Sequence, residues 1–195
     1  MKEKIILIGA GGHAVSCIDV IEMENKFTIS GLIDIKEKIG NNILNYPIID
    51  HDENLYKYVE SHFFLITIGQ IKSYEKRVEL FKKLTNMNAK IATVISPLAY
   101  VSKHGRIGKG TIVMHHAMIN ANCVIGNNCI INSKALVEHG CNIGDNCHIS
   151  TSSVINGDVN IGNNSFIGSS SVVVNNLIIK NNSFIKANQI IKNDQ

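Results

Sequence analysis

The sequence of 195 residues has no long apolar run, little charge and no cysteine framework. No segment approaches the roughly 18 consecutive apolar residues that a membrane span requires. The apolar start of the chain is interrupted early by glycines and followed by Asp19, and it has no cleavage-site pattern of a secretion signal. Five cysteines, an odd number without compact spacing, also argue against a disulfide scaffold. We therefore expect a cytoplasmic protein.

Charge gives a second exclusion. Only 18% of the residues are charged, and the formal net charge is +3. Such a small and dispersed excess of positive charge does not favour nucleic-acid binding, although it suits the binding of small anionic ligands. With 45% hydrophobic residues, the chain is long enough for one large or two small globular domains. We expect neither nucleic acid nor a membrane as a partner.

The first half of the chain alternates β-like runs with amphipathic helical stretches. Strands are predicted at KIILIG, FTISGLID, HFFLITIG and KIATVI, and helices at HAVSCIDVIEM and SYEKRVELFKKLTNM. Such alternation is typical of a parallel sheet with crossover helices. We assign residues 1–96 to a small Rossmann-like α/β domain.

A six-residue repeat replaces this pattern from about residue 97. When the chain is divided into sixes from Ala99, isoleucine or valine is the third residue of all sixteen blocks. This repeat predicts a left-handed parallel β-helix over residues 97–195, with three blocks per coil, so that residues eighteen apart stack on each other. Gly, Asn, Asp, Ser and Lys crowd the last positions of the blocks, where a turn requires positive φ.

The repeat gives the cysteines a structural interpretation. Cys123, Cys129, Cys141 and Cys147 all occupy the first, inward position of a block, which most other blocks fill with small residues. A buried free thiol commonly acts as a small apolar filler. Zinc needs four converging groups, whereas these stacked columns offer two thiols at a time. We expect no metal site.

His139 is the histidine whose position suggests chemistry. It is the fifth residue of its block, at a turn, and Gly157 stacks on it eighteen residues later. A corner imidazole can act as a general base, and a glycine N–H one coil away can stabilise the oxyanion formed when a carbonyl is attacked. The same spacing also fits an ordinary surface histidine, so both interpretations stand on spacing alone.

At these residues the chain resembles the hexapeptide-repeat acyltransferases, and within them the bacterial nucleotide-sugar acetyltransferases of the PglD and NeuD type. The resemblance covers nearly the whole chain and is carried by LIGAGGHA, Asp34, TIG at 67–69, ISPLAYVS, and INSKALVEHGCNIGDNCHIS followed by NGDVNIG. It implies a homotrimer, with acetyl-CoA as co-substrate between neighbouring β-helices and a nucleotide-linked amino sugar on the N-terminal domain.

The resemblance also implies roles for single residues. His139 matches the catalytic base, Asn132 the asparagine near that base, and Gly157 the glycine whose N–H faces the acetyl carbonyl oxygen. The acetyl-CoA contacts are expected at His148, Gly157, Gly168 and Ser169. The sugar-nucleotide contacts are expected at Gly11, Gly12, His13, Asp34 and Gly69.

The chain departs from the family pattern at residue 140, and also in its last residues, KANQIIKNDQ, where the family often has a Gly-x-Pro-Ala-like tail. The family usually places Glu or Asp directly after the catalytic histidine to orient its ring, and here Gly140 stands there. Either another group holds the ring, with Asn132 as one option, or the base is weaker than usual. An amine substrate tolerates a poorly oriented base better than an alcohol does, because an unprotonated amine is already nucleophilic.

The segment GAGGHA, residues 9–14, admits a different function, since it approximates the dinucleotide fingerprint G-x-G-x-x-G/A. However, roughly ninety residues are too few for the usual six-stranded fold with a hydride-acceptor site. A phosphate at a helix N-terminus serves a sugar nucleotide equally well. We therefore expect an acetyl-CoA-dependent N-acetyltransferase of a UDP-linked amino sugar. The alternatives are O-acetylation of a sialic-acid-like sugar and a non-catalytic trimeric sugar-nucleotide-binding scaffold.

Overall fold

The computed structural model describes residues 2–195 and has an α/β half followed by a prism of short strands. The α/β half consists of β1 Glu3–Ile8, α1 Gly12–Glu24, β2 Phe27–Asp34, β3 Asn42–Ile43, β4 Tyr46–His51, β5 Phe63–Ile66, α2 Glu75–Asn86 and β6 Lys90–Ile91, with 3-10 segments at Lys36–Lys38 and Asp52–Tyr58. Its sheet has the order β3-β4-β2-β1-β5-β6. All pairs are parallel except the β3–β4 hairpin, which the sequence patterns did not predict.

The central strand β1 explains why this half folds as two layers of helix around a sheet. Ile5 and Leu7 pack in one cluster with α1, whereas Ile6 and Ile8 pack in another with Leu80 of α2. Because side chains alternate along a strand, β1 buries apolar groups on both of its faces. Because β1, β2 and β5 run parallel, their carboxyl ends meet at one edge of the sheet, where the glycine loop lies.

The prism is built from two-residue strands that stack every eighteen residues. Its strands are β7 Val94–Ile95, β8 Tyr100–Val101, β9 Arg106–Ile107, β10 Ile112–Val113, β11 Met118–Ile119, β12 Val124–Ile125, β13 Ile130–Ile131, β14 Leu136–Val137, β15 Asn142–Ile143, β16 His148–Ile149, β17 Val154–Ile155, β18 Asn160–Ile161, β19 Phe166–Ile167, β20 Val172–Val173, β21 Ile178–Ile179, β22 Phe184–Ile185 and β23 Ile190–Ile191. Face 1 contains β7, β10, β13, β16, β19 and β22. Face 2 contains β8, β11, β14, β17, β20 and β23, and face 3 contains β9, β12, β15, β18 and β21.

The predicted architecture, an α/β domain followed by a left-handed parallel β-helix, is confirmed. The third residue of each block lines the interior, and the four block cysteines are buried there among the isoleucines. The last residue of most blocks has φ near +60°, including Asn122, Asn128, Asn146 and Asp158. Asn, Asp and Gly tolerate this left-handed conformation, which accounts for their enrichment at the turns.

The α/β half packs directly on face 1. Apolar residues of α1 and of face 1 share one buried cluster, which includes Ala14, Ile18, Ile21, Ile112, Met114 and Ile130. A polar chain joins the same elements: Ser96 Oγ lies 2.7 Å from His115 Nδ1, and His115 Nε2 lies 2.8 Å from Asp19 Oδ2. Ser96 is buried, so this Ser-His-Asp series holds α1 on the prism and does not present a nucleophile. Strand β7 already pairs with β10, just before the predicted boundary at residue 97.

No helix among residues 2–195 is both long and apolar enough to cross a membrane.

Candidate active site

His139 and Gly157 meet at the corner between faces 2 and 3. A Cβ placed on Gly157 would lie 2.6 Å from Cε1 and 2.8 Å from Nε2 of His139. Only glycine leaves room for the imidazole in this position, since real Cβ contacts are longer. The His139 side chain is 60% exposed, so the ring is accessible to a ligand at the prism surface. The structure thus places the predicted base and the predicted oxyanion glycine in contact.

The backbone at this corner leaves one donor free. Asp158 N–H donates to His139 O at 2.9 Å, and Asn176 N–H donates to Gly157 O at 3.0 Å, so successive coils are fixed to each other. The N–H of Gly157 itself donates to no acceptor among residues 2–195. A free, rigidly held amide beside an imidazole is the arrangement that stabilises an oxyanion while a proton is removed nearby.

Asn132 and His148 contact each other on face 1, away from His139. The amide Nδ2 of Asn132 donates to His148 Nε2 at 3.0 Å, and His148 Nδ1 hydrogen-bonds the backbone carbonyl of Gln70. His148 is therefore the Nδ1–H tautomer, with both ring nitrogens occupied. Burial lowers the pKa of His148 to about 4, against the opposing effect of the Gln70 carbonyl, and the charge of Arg77 lowers it further. Asn132 therefore orients the ring of His148 and does not orient the ring of His139.

The glycine loop lies where β1 ends and α1 begins. A Cβ on Gly11 or Gly12 would meet no heavy atom within 4 Å, so this side of the loop is open. Gly69, which follows β5, comes close to His13, since its Cβ would lie 3.5 Å from His13 Cβ. The helix start at Gly12 has no side-chain cap, and its N–H groups are available to an anion. The structure thus brings Gly69 beside the loop that contains Gly11, Gly12 and His13.

Asp34, the fifth of these residues, ends β2 and is engaged by the protein itself. Its carboxylate accepts hydrogen bonds from the backbone N–H of Ala10 and of Ile35, and Lys38 Nζ lies 3.1 Å from Oδ1. Burial acts to raise the pKa of Asp34, but these hydrogen bonds and the Lys38 charge lower it below its usual value. Asp34 therefore ties the glycine loop to the end of β2.

Arg77 is a buried residue near the candidate site that the sequence patterns missed. It lies on α2, 1% exposed, and donates to the carbonyls of Ile66 and Ile68 and to Asn128 O and Oδ1 at 2.7–3.1 Å. Burial lowers its pKa to about 10, which still leaves it charged at neutral pH. No carboxylate among residues 2–195 pairs with this cation. The available signal was a charged residue on the apolar face of α2, at helical spacing from Leu80 and Leu84.

Gln70 is a second missed residue, and it shares its surroundings with His13 and Arg77. Its Nε2 donates to the Asn146 carbonyl at 2.8 Å, which joins the loop after β5 to the prism. Burial, followed by the charges of Arg77 and His148, lowers the pKa of His13 to about 3, so this imidazole is neutral. Gln70 Oε1, His13 Nε2 and Arg77 Nε are buried without a hydrogen-bond partner in the described structure. This neighbourhood therefore carries a positive charge and unused polar atoms beside the open glycine loop.

Gly168 and Ser169 lie on the other side of face 2 from His139. Gly168 stacks above Ser150, and Ser150 above Asn132, at the corner between faces 1 and 2. Ser169 Oγ lies 3.0 Å from Ser150 Oγ.

Among residues 2–195, no group of three or more His, Cys, Asp or Glu is arranged to hold a metal ion.

Two family models match the chain. The model described as PglD N-terminal domain matches residues 4–84, and the model described as bacterial transferase hexapeptide (six repeats) matches residues 104–139. The second match includes His139 itself. The chain therefore combines a PglD N-terminal domain with bacterial transferase hexapeptide repeats. The resemblance read from the sequence is thereby confirmed, and the protein is an enzyme of the acyltransferase class.

Solved structures resemble this acyltransferase over nearly its whole length. A perosamine N-acetyltransferase from Caulobacter crescentus, in complex with CoA and GDP-perosamine, is 27% identical; the match covers 98% of this chain and 89% of that one, with a TM-score of 0.91. The acetyltransferase domain of PglB from Neisseria gonorrhoeae, in complex with acetyl coenzyme A, is 24% identical and covers 100% and 93% of the two chains, with a TM-score of 0.92. The second similarity speaks to the fold alone.

A curated relative extends the comparison to a longer protein. The uncharacterized protein L142 of Acanthamoeba polyphaga mimivirus is 35% identical over 118 residues, which are 60% of this chain. The match spans 22% of the length of that relative.

The predicted site residues of the acyltransferase form two groups on one chain. His139 and Gly157 lie at the corner between faces 2 and 3, whereas Asn132, Gly168 and Ser169 lie at the corner between faces 1 and 2. The α/β half, with its glycine loop, covers face 1. In a triangular prism, the corner between faces 2 and 3 is the one that does not adjoin face 1. A single chain therefore does not bring His139 to its own glycine loop.

Proposed function

We propose that this acyltransferase moves the acetyl group of acetyl-CoA to the amino group of a nucleotide-linked amino sugar. The observation that carries the proposal is the His139 ring lying over Gly157, whose N–H is free. The Caulobacter crescentus enzyme, solved with CoA and GDP-perosamine, supports this substrate class. We expect UDP as the carrier, with GDP and CMP as the alternatives.

The corner residues account for the transfer step. The amine nitrogen attacks the thioester carbonyl carbon while His139 Nε2 takes a proton from the amine, and a C–N bond forms. The negative charge that develops on the carbonyl oxygen is stabilised by the Gly157 N–H. The C–S bond then breaks, and the CoA thiolate takes the proton from the imidazolium. His139 thus acts first as a base and then as an acid.

The separation of the two residue groups supports a homotrimer with acetyl-CoA between neighbouring β-helices. Face 2, which separates them, carries an apolar row on its outer surface. The row consists of Tyr100, Met118, Leu136, Val154, Val172 and Ile190. Tyr100 and Ile190 are 57% and 64% exposed, an unusual state for side chains of this size in so regular a row. Packing face 2 against a second copy would cover this row and bring His139 beside the glycine loop of a neighbour.

The glycine loop and Arg77 support the nucleotide assignment. Backbone N–H groups at the start of α1 suit a diphosphate, and the buried Arg77 adds positive charge beside it. We expect the phosphates at Gly11, Gly12, His13 and Gly69, with the base or ribose near Asp34, and CoA near His148, Gly168 and Ser169. We also expect the reaction to take place in the cytoplasm.

A thiol-release assay tests the proposal. Acetyl-CoA is offered with a panel of UDP-, GDP- and CMP-linked amino sugars and free sialic acids, to the wild-type enzyme and to His139→Ala. We expect CoA release with a nucleotide-linked amine, and a loss of about 10²- to 10⁴-fold in His139→Ala. His104→Ala is the matched control, because this exposed histidine lies on the same corner two coils away.

Three outcomes would contradict the proposal. Equal CoA release by the wild-type enzyme and His139→Ala would remove the base from the mechanism. Turnover of free sialic acids alone would establish O-acetylation. Binding of a sugar nucleotide with no CoA release from any acceptor would favour the non-catalytic scaffold.

A further inference from the structure

The space beside Gly140 is already filled by a carboxylate from the next coil. Gly140 has φ +71°, and a Cβ placed on it would overlap Oδ1 of Asp158. The family usually carries its ring-orienting acid at the position of Gly140. In this chain the same region is reached by Asp158, eighteen residues later in sequence and one coil further along the prism.

Asp158 approaches the His139 ring at Nδ1. Its Oδ2 lies 3.9 Å from His139 Nδ1, whereas Nε2 lies on the Gly157 side, 2.8 Å from the position of a Cβ there. The Asp158 N–H also donates to His139 O, which fixes the two residues relative to each other. Nδ1 of the ring therefore lies nearest a carboxylate, whereas Nε2 lies beside Gly157.

We propose that Asp158 is the positioning residue that orients the His139 ring, in place of an acid at residue 140. A carboxylate beside Nδ1 keeps the proton on that nitrogen and leaves the Nε2 lone pair free for the incoming amine. Both side chains are more than half exposed, so a small rotation closes the remaining distance when the site fills. This role rests on the proposed function of His139 as the base.

Other polar groups near the ring are engaged elsewhere. Asn132 is bonded to His148, and Glu138 accepts a hydrogen bond from Asn120 Nδ2 at 2.7 Å on face 2. Within the described residues, Asp158 is the carboxylate that comes within 4 Å of a His139 ring nitrogen. The acid need not directly follow the histidine in sequence, because a residue of the next coil occupies the same space.

Asp158→Asn is the first test. Asparagine suits the left-handed backbone at this position, since Asn122 and Asn176 occupy the same column with φ near +60°, so the fold should persist. ¹⁵N NMR of the free enzyme reports the tautomer of His139 without any substrate. We expect the Nδ1–H tautomer to dominate in the wild type and to lose population in Asp158→Asn. With substrate, we expect kcat to fall about tenfold while KM stays within about twofold.

The reciprocal exchange Gly140→Asp with Asp158→Gly is the second test. It returns the acid to the usual family position and empties the space that Asp158 filled, so we expect the tautomer and most of kcat to be restored. Glu138→Gln is the matched control, because it removes a charge adjacent to His139 in sequence and should change neither quantity.

The proposal is overturned if Asp158→Asn leaves the tautomer population and kcat as in the wild type. It is also overturned if Glu138→Gln shifts them as much as Asp158→Asn does. If the exchanged variant does not fold, Asp158→Asn decides alone. If no acceptor is acetylated by the wild type, the proposed function fails, and the NMR result still decides whether Asp158 orients the ring.

Discussion

Gly157→Ala tests the contact between His139 and Gly157 on which the proposed transfer step depends. The added Cβ would lie 2.6 Å from Cε1 and 2.8 Å from Nε2 of His139, and 3.3 Å from Asn175 Nδ2. To reach ordinary contact near 3.4 Å, the ring must move by roughly 0.6 to 0.8 Å. The Gly157 N–H remains in place, so the variant separates the position of the base from the oxyanion donor.

The displacement predicts a large loss of rate and a small change in stability. A misplacement of about 1 Å can cost about 10²-fold, so we expect kcat to fall by roughly 10- to 100-fold, which is about 1.4–2.7 kcal/mol of transition-state stabilisation. Gly157 does not require a positive φ, and the ring that must move is mostly exposed. The melting temperature should therefore change by only a few degrees, measured by thermal unfolding.

Two measurements separate this explanation from others. Asn175→Ala removes the third neighbour of the added Cβ and should retain the wild-type kcat, so that the loss in Gly157→Ala can be assigned to His139. Acetyl-CoA binding by calorimetry shows whether co-substrate affinity is intact. A Gly157→Ala enzyme that keeps more than about half of the wild-type kcat, with its ring displaced, would refute the assignment of His139 as the base.

Three further predictions concern the α/β half. Arg77→Met leaves the carbonyls of Ile66, Ile68 and Asn128 without their donor, so urea unfolding should show a loss of about 3–5 kcal/mol; a loss below about 1 kcal/mol would contradict the role of Arg77 in holding α2 on the prism. Ser96→Ala should lower the free energy of unfolding by about 1–2 kcal/mol in the same measurement, because it breaks a buried hydrogen bond to His115. Asp19→Asn changes a mostly exposed side chain and should lower it by less than about 1 kcal/mol. The reverse order would show that the His115–Asp19 ion pair is the stronger contact. The third prediction concerns Asp50. Burial acts to raise its pKa, but hydrogen bonds from Asn54, His51 N–H, Lys57 and Tyr58 lower this pKa to about 2. A lowered pKa means that this stabilisation is complete above the ordinary value of 3.8 and is lost as pH falls through about 2. Asp50→Asn should therefore flatten the melting temperature between pH 4 and pH 2, and an unchanged acid slope would argue against the shift.

The prism could be predicted from the sequence in detail because its geometry is periodic. A repeat of six with three blocks per coil assigns every residue to a face, a depth and a neighbour eighteen residues away. The contact of His139 with Gly157 and the burial of the four cysteines follow from this arithmetic. The β3–β4 hairpin escaped prediction because Asn42–Ile43 is too short a run to show alternation.

The partners of single side chains could not be predicted where they come from a different element. His148 is buried because the loop carrying Gln70 folds over it, and that loop is 78 residues away in sequence. Arg77 reads as one more basic residue of an amphipathic helix, and only the docking of α2 against Asn128 makes it a buried cation.

The sequence by itself determined the two-part architecture, the columns of the prism and the contact of His139 with Gly157, since each of these depends on local periodicity. The tertiary structure decided how the α/β half packs on face 1, that Asn132 hydrogen-bonds His148, and that the carboxylate beside His139 comes from Asp158. These depend on backbone turns and on contacts between elements distant in sequence, which a one-dimensional pattern does not encode. The physical reason is that periodicity fixes which residues are neighbours along the prism, whereas side-chain direction and domain docking are set by packing in three dimensions.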